Sequence, residues 1–145
     1  MLTKIALEKW VYKNPNSEER FYVYQPIVTI LLGYNHKFTA PVKCLLDTGA
    51  TINVFPEELA LTFFGITKKT LQKGRVIEIQ TVGNRKVFGY GLECTFQHPE
   101  FKIEKTLVYF VENQPYPLLG RVGFMDKFKK IVLDEEHKIL ELEKL

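Results

Sequence analysis

The chain has 145 residues, 46% of them hydrophobic and 26% charged, with a net charge of +3. That is the size and balance of one folded domain over residues 1–145, not of a disordered or low-complexity segment. The longest apolar runs, such as IVTILL at 27–32, are too short to span a bilayer as a helix, and the lysines are scattered rather than packed into the dense basic stripe of a nucleic-acid binder, so neither a membrane nor a nucleic acid is expected as a partner.

The first residues, MLTKIALEKW, carry Lys4, Glu8 and Lys9 and lack the apolar core of a signal peptide. Segment 3–12 reads as a strand, Asn14-Pro15-Asn16-Ser17 as a loop, and 20–32 as a strand in which Pro26 demands an edge or a bulge. Gly33 to His36 reads as a hairpin turn. A further strand covers 37–46, with Pro41 making the same demand as Pro26. PEELALTFFG (56–65) is expected to be a helix, with Pro at its first position, two acids in its first turn and Gly at its end. Strands at 74–82 and 85–96 flank Gly83-Asn84, a tight-hairpin signal, and another strand covers 102–111. VGFMDKFKK (122–130) is expected to be a second short helix, with Phe124 and Phe128 on one face and lysines at its end. Strands 129–134 and 138–143 meet at a turn over Asp134 to His137. The fold class is mainly β, a small closed barrel or sandwich interrupted by two short helices.

Chemistry-bearing residues are few. Cys44 and Cys94 each sit inside an apolar strand-like run and read as buried free thiols in a reducing compartment, which points to the cytoplasm. His36, His98 and His137 lie in turn-like contexts without ligand spacing, so no metal or cofactor is expected. Gly89-Tyr90-Gly91 lacks the third glycine and the following helix of a phosphate-binding loop.

The informative stretch is CLLDTGATINVFP (44–56). A strand suited to a dry core ends in a carboxylate, which burial without a partner would penalise heavily. Asp47 has two uses open to it: capping its own backbone in a turn, or serving as a functional acid. Gly49 admits backbone angles that other residues avoid and leaves its N–H free to reach the carboxylate. Ala50 keeps the next position small.

Three segments, in this order, resemble the retropepsin-like aspartic proteases: LLDTGATINVF (45–55), a glycine-containing hairpin (79–89) and PLLGRVGFMDKF (117–128). The resemblance covers about residues 20 to 143. It implies a small closed β-barrel with a flap hairpin, and an aspartic endopeptidase acting on a polypeptide held in extended form. Asp47, Thr48 and Gly49 would be the catalytic residues, with Thr48 bonding across a dimer axis and Gly49 presenting backbone to substrate. Ala50, the hairpin tip Val82-Gly83-Asn84 and Leu118 would contact substrate, and Leu118 and Leu119 would pack beneath the catalytic loop. Such chemistry needs two adjacent carboxylates that share a proton, one taking a proton from water and the other donating to the scissile carbonyl. The chain has only three aspartates, Asp47, Asp126 and Asp134, and only Asp47 precedes Thr-Gly. One chain therefore cannot supply the pair, and the resemblance implies a twofold homodimer.

The sequence also departs from the family. Viral relatives carry an acid where this chain has Thr51, which leaves Arg121 without its usual partner, and Val122 replaces a polar residue common there. The lead before Asp47 is longer, with residues 1–19 as an N-terminal extension whose segment 3–12 either adds a strand or covers an edge. The C-terminal KILELEKL either builds a sheet between two copies, as chain ends do in viral enzymes, or buries its leucines within one subunit. Two other functions compete with the enzyme. One is a catalytically inactive module of the same fold that binds extended peptides or mediates dimerisation, and the other is an unrelated β-barrel binding protein.

Overall fold

The computed structural model describes residues 1–81 and 83–145. The pattern at 3–12 gives two strands, β1 (Leu2–Ala6) and β2 (Glu8–Lys13). They separate at Leu7, whose side chain is buried and whose N–H donates to the Lys138 carbonyl at 2.9 Å. The pattern at 20–32 likewise divides, into β3 (Arg20–Gln25) and β4 (Ile27–Tyr34). Pro26 is the cause, since it has no N–H for a ladder. Its carbonyl instead accepts from Leu46 N–H at 2.9 Å. Past a turn in which Asn35 and His36 both have positive φ, β5 (Lys37–Phe38) and β6 (Val42–Leu46) are separated by the segment containing Pro41.

β7 (Asn53–Pro56) runs directly into α1 (Glu57–Phe63), with Pro56 as the N-cap and Gly65, at φ 65°, just past the C-cap Phe64. Gly65 thus ends the helix as expected of a glycine in the left-handed region. α2 (Lys68–Gln72) is a helix the sequence pattern does not announce; the Thr67 hydroxyl caps it by accepting from Thr70 N–H at 3.1 Å. β8 (Arg75–Gln80), β9 (Lys86–His98), β10 (Phe101–Val111), β11 (Leu118–Leu119), β12 (Phe128–Asp134) and β13 (Ile139–Lys144) complete the chain.

The expected helix over 122–130 does not form. Only a single 3-10 turn, Met125–Lys127, is present, and Phe128 already begins β12. Gly123 has φ 99°, which no helix accommodates, and its N–H is bound by the Asp126 carboxylate at 3.0 Å. Phe124 and Phe128 do share one environment, with ring centroids 5.2 Å apart, but in the core rather than along a helix face.

The architecture is mainly β, as the sequence predicts. β4, β6, β11, β7, β10 and β9 pair in that order, and β9 returns to β4 with Leu32 opposite Phe96. This closes a six-stranded barrel, while β5 and β8 extend it outward. Phe55, Phe96, Phe110 and Phe124 fill its interior. β1, β13 and β12 form a separate antiparallel sheet whose Leu140 and Leu142 join the same buried cluster. The N-terminal segment adds a strand, β1, and β13 lies between β1 and β12 of its own subunit, with both edges occupied. Among the described residues β2 and β3 pair only with each other.

Candidate active site

Asp47 follows β6 and is held by its backbone on both sides. Its N–H donates to the Leu119 carbonyl at 3.1 Å, and its carbonyl accepts from Ala50 N–H at 3.0 Å. Its Oδ1 accepts from Gly49 N–H at 2.8 Å. The carboxylate therefore caps its own loop, and it also stands half-buried at the head of a groove; the two uses of Asp47 coexist. Gly49 is required for a reason other than the one its sequence suggests. It is not among the residues with positive φ, but a Cβ there would stand 3.2 Å from Asp47 Oδ1, crowding the bond that orients the acid.

β11 threads between the two strands that flank this loop. Leu118 and Leu119 lie parallel to Leu45 and Leu46 of β6, and Leu118 also faces Val54 of β7. The segment after β11 continues the tie: Arg121 N–H donates to the Ala50 carbonyl at 3.0 Å and Val122 N–H to the Thr51 carbonyl at 2.8 Å. Gly120 permits this approach, because a Cβ there would lie 2.3 Å from the Ile52 carbonyl oxygen. The fully buried Asn53 joins three segments: its Oδ1 accepts from Gly120 N–H at 2.9 Å and its Nδ2 donates to the Leu107 carbonyl at 3.2 Å. Thr106, also buried, donates its hydroxyl to the Gly123 carbonyl. Sequence reasoning missed Asn53 and Thr106 as supports of the site. A lone Asn inside the apolar run INVF is the signal that points to one of them.

The groove has a volume of about 530 Å³. Asp47, Gly49, Ala50 and Leu118 form its floor, and Ile77, Ile79 and Val87 of the β8–β9 hairpin form its roof. The hairpin turn is closed by Thr81 N–H donating to the Arg85 carbonyl at 2.9 Å. Four of the expected site residues thus meet at one cavity. Thr48 does not line it; it stands exposed beside the loop. Gly83 and Asn84 sit at the hairpin turn with φ 91° and 60°, away from the lining. Val82 lies outside the described residues.

Glu78 of β8 lines the same groove as Asp47, while the other two aspartates are engaged elsewhere. Asp126 caps Gly123, and Asp134 binds His137 Nδ1 at 2.8 Å in the β12–β13 turn. Among the described residues no carboxylate lies within 4 Å of Arg121. Cys44 and Cys94 are buried free thiols; burial pushes the Cys94 thiol up to about 12 and that of Cys44 upward as well, which leaves neither as a nucleophile. Among the described residues there is no cluster of three or more His, Cys, Asp or Glu fit for a metal.

No family model and no curated protein sequence matches the chain. Solved structures do. A retropepsin-like aspartic protease from Rickettsia conorii superposes with a TM-score of 0.58 at 17% identity, covering 98% of this chain and 91% of the other. The retroviral protease-like domain of Ddi1 from Leishmania major superposes with a TM-score of 0.50 at 15% identity, covering 82% of this chain and 94% of that domain. The chain has the retropepsin-like fold. Within that fold, the loop bearing Asp47, the β8–β9 hairpin and the inserted β11 follow one another along the chain.

Proposed function

We propose that the chain is an aspartic endopeptidase that acts as a twofold homodimer on a polypeptide in extended form. The observation that carries this is the placement of Asp47: one carboxylate oxygen is fixed by Gly49 N–H at 2.8 Å, and the acid heads a groove roofed by a β-hairpin. A second Asp47 across a twofold axis completes the site. Two such carboxylates titrate as a unit and share one proton. The ionised member takes a proton from a water lying between them, and that water attacks the scissile carbonyl. The protonated member donates to the carbonyl oxygen, and the proton taken from water passes to the leaving amine as the tetrahedral intermediate collapses. Thr48 and Gly49, both exposed, are placed to meet their copies and the substrate backbone. The peptide adds as a strand between floor and hairpin, Ala50 and Leu118 contact its side chains, and Val82, Gly83 and Asn84 close over it. The buried free thiols support a reducing compartment, the cytoplasm in the simplest case; among the described residues no helix is long and apolar enough to cross a membrane.

One observation favours a second reading, a non-catalytic module of this fold that binds extended peptides. Arg121 is exposed and has no acidic partner among the described residues, and Thr51 offers none. A single comparison separates the two: wild type and Asp47→Asn on a mixed peptide substrate, from about pH 3 to pH 8, with sedimentation on both. The endopeptidase predicts cleavage by the wild type and a loss of roughly 10³-fold or more in the variant, with the dimer retained. Binding without cleavage in either protein supports the module.

A further inference from the structure

The β2–β3 ribbon has two unlike faces. On one face lie Lys9, Val11, Lys13, Arg20, Tyr22 and Tyr24, with Lys9 Nζ 4.0 Å from the Tyr22 centroid and Lys138 Nζ 5.2 Å from that of Tyr24. The other face carries Trp10, Tyr12, Phe21 and Val23. Near the ribbon's base, Trp10 packs edge-on against Tyr116 with centroids 6.0 Å apart. Toward its tip, Tyr12 and Phe21 stack at 5.2 Å and stand 39% and 57% exposed. Among the described residues no third strand joins the ribbon, and an isolated two-stranded ribbon is marginal in water.

The ribbon's position bears on what covers it. Its last strand ends at Pro26, whose carbonyl is bound by Leu46 N–H, one residue before Asp47. Its apolar face continues from Leu45 and Tyr116, which line a small pocket with Trp10; Leu45 is the register neighbour of Leu118 in the groove. The ribbon thus projects from the end of the barrel where a second Asp47 has to stand. β13 cannot hold two copies together, since both its edges are paired within the subunit. The loop surface around Asp47 exposes Thr48, Gly49, Arg121 and Val122, and a stable interface takes roughly 800 Å² per partner. Tyr12 and Phe21 together add on the order of 200 Å² of uncovered aromatic surface per arm.

We infer that the β2–β3 ribbon is a dimerisation arm whose Tyr12–Phe21 face packs on a second copy of this chain; the inference rests on the homodimer proposed above. The test is the double variant Tyr12→Ser/Phe21→Ser, followed by sedimentation and by peptide cleavage over a range of enzyme concentrations. The arm predicts a dimer dissociation constant raised at least tenfold, and cleavage lost at low concentration and regained at high concentration with kcat per dimer unchanged. An unchanged dissociation constant overturns the arm, and if KM alone rises the ribbon serves substrate instead. A wild type that is monomeric at every concentration overturns both the arm and the homodimer; a wild-type dimer indifferent to the variant overturns the arm alone. Should the variant fail to fold, hydrogen exchange on wild type decides. Ribbon amides protected only above the dimerisation concentration support the arm, and equal exchange at all concentrations overturns it.

Discussion

From Asp47 to Gly123 the floor of the groove is bonded to distant parts of the chain, whereas the outer part of the β8–β9 hairpin above it, short of Gly89 where β9 joins β10, is bonded chiefly to itself. In the floor, Asp47, Ala50, Thr51, Leu119, Gly120, Arg121 and Val122 all use backbone groups to join two segments that are some 70 positions apart in sequence by the span of Asn53 to Gly120, whose separation is 67. Buried Asn53 closes the same junction from within. In the hairpin, the side-chain ties are internal: Gln80 Nε2 to Asn84 Oδ1 at 3.3 Å, Thr81 Oγ1 to the Arg85 carbonyl at 3.0 Å, and Lys86 to Glu78 at 3.3 Å. At its root, Gly89 and Gly91 rest on Tyr109, where a Cβ would stand 3.1 Å from that side chain. In the proposed homodimer, a carboxylate meeting its twin within hydrogen-bond reach needs the first kind of construction, and a cover admitting a peptide needs the second, since it can lift without breaking floor bonds.

Gly120→Ala tests the floor and carries the largest expected effect on stability. The new methyl would face the Ile52 backbone at 2.3 Å, and backbone cannot rotate away as a side chain can. A loss of about 3 kcal/mol in urea unfolding is expected, with cleavage lost as the Asp47 loop shifts. A loss under about 1 kcal/mol would show that the floor yields and would break the contrast. Ile79→Ala tests the roof. Ile79 is half-buried over the groove, so about 1 kcal/mol of stability is expected to go, while KM rises several-fold through lost substrate contact. A destabilisation as large as that of Gly120→Ala would make the hairpin part of the core.

The same contrast sets what the sequence makes legible. Alternation and turn residues reveal β8, β9, β10 and the Asp134–His137 turn because their signals are local, as is the Asp-Thr-Gly motif. β11 has only two residues, Leu118 and Leu119, and is a strand solely because it inserts between β6 and β7; no short-range signal records that. The helix expected at 122–130 fails for the same reason. Phe124 and Phe128 satisfy helical spacing, yet Gly123 must approach Asn53 and Thr106, where a Cβ would lie 2.7 Å from Asn53 Nδ2, and that tertiary contact decides its conformation. Asp47, Gly49, Ala50 and Leu118 were found through the motif. Asn53 and Thr106 act across the fold, and their partners are invisible in one dimension.

The smallest expected effect concerns a charge carried by the continuation of the floor. Glu57 opens α1 directly after β7, is 2% exposed, and neither of its carboxylate oxygens has a hydrogen-bond partner among the described residues. Burial holds its pKa above the ordinary value; Lys68, 3.9 Å away, opposes this, and Glu112 and Glu58 add to it. The folded state therefore binds this proton more tightly than the unfolded chain does. The stability it contributes is fully present below the ordinary carboxylate value, near about 4.3, and is lost as pH rises through the raised folded value. Glu57→Gln removes the titration. Its melting temperature should match wild type near about pH 4 and exceed it by about 1–2 °C near pH 7, read by calorimetry at the two pH values. If the variant instead melts lower at neutral pH than at acid pH relative to wild type, the attraction of Lys68 outweighs desolvation, and the strand-to-helix junction behind the Asp47 loop is held by an ion pair rather than strained by a buried charge.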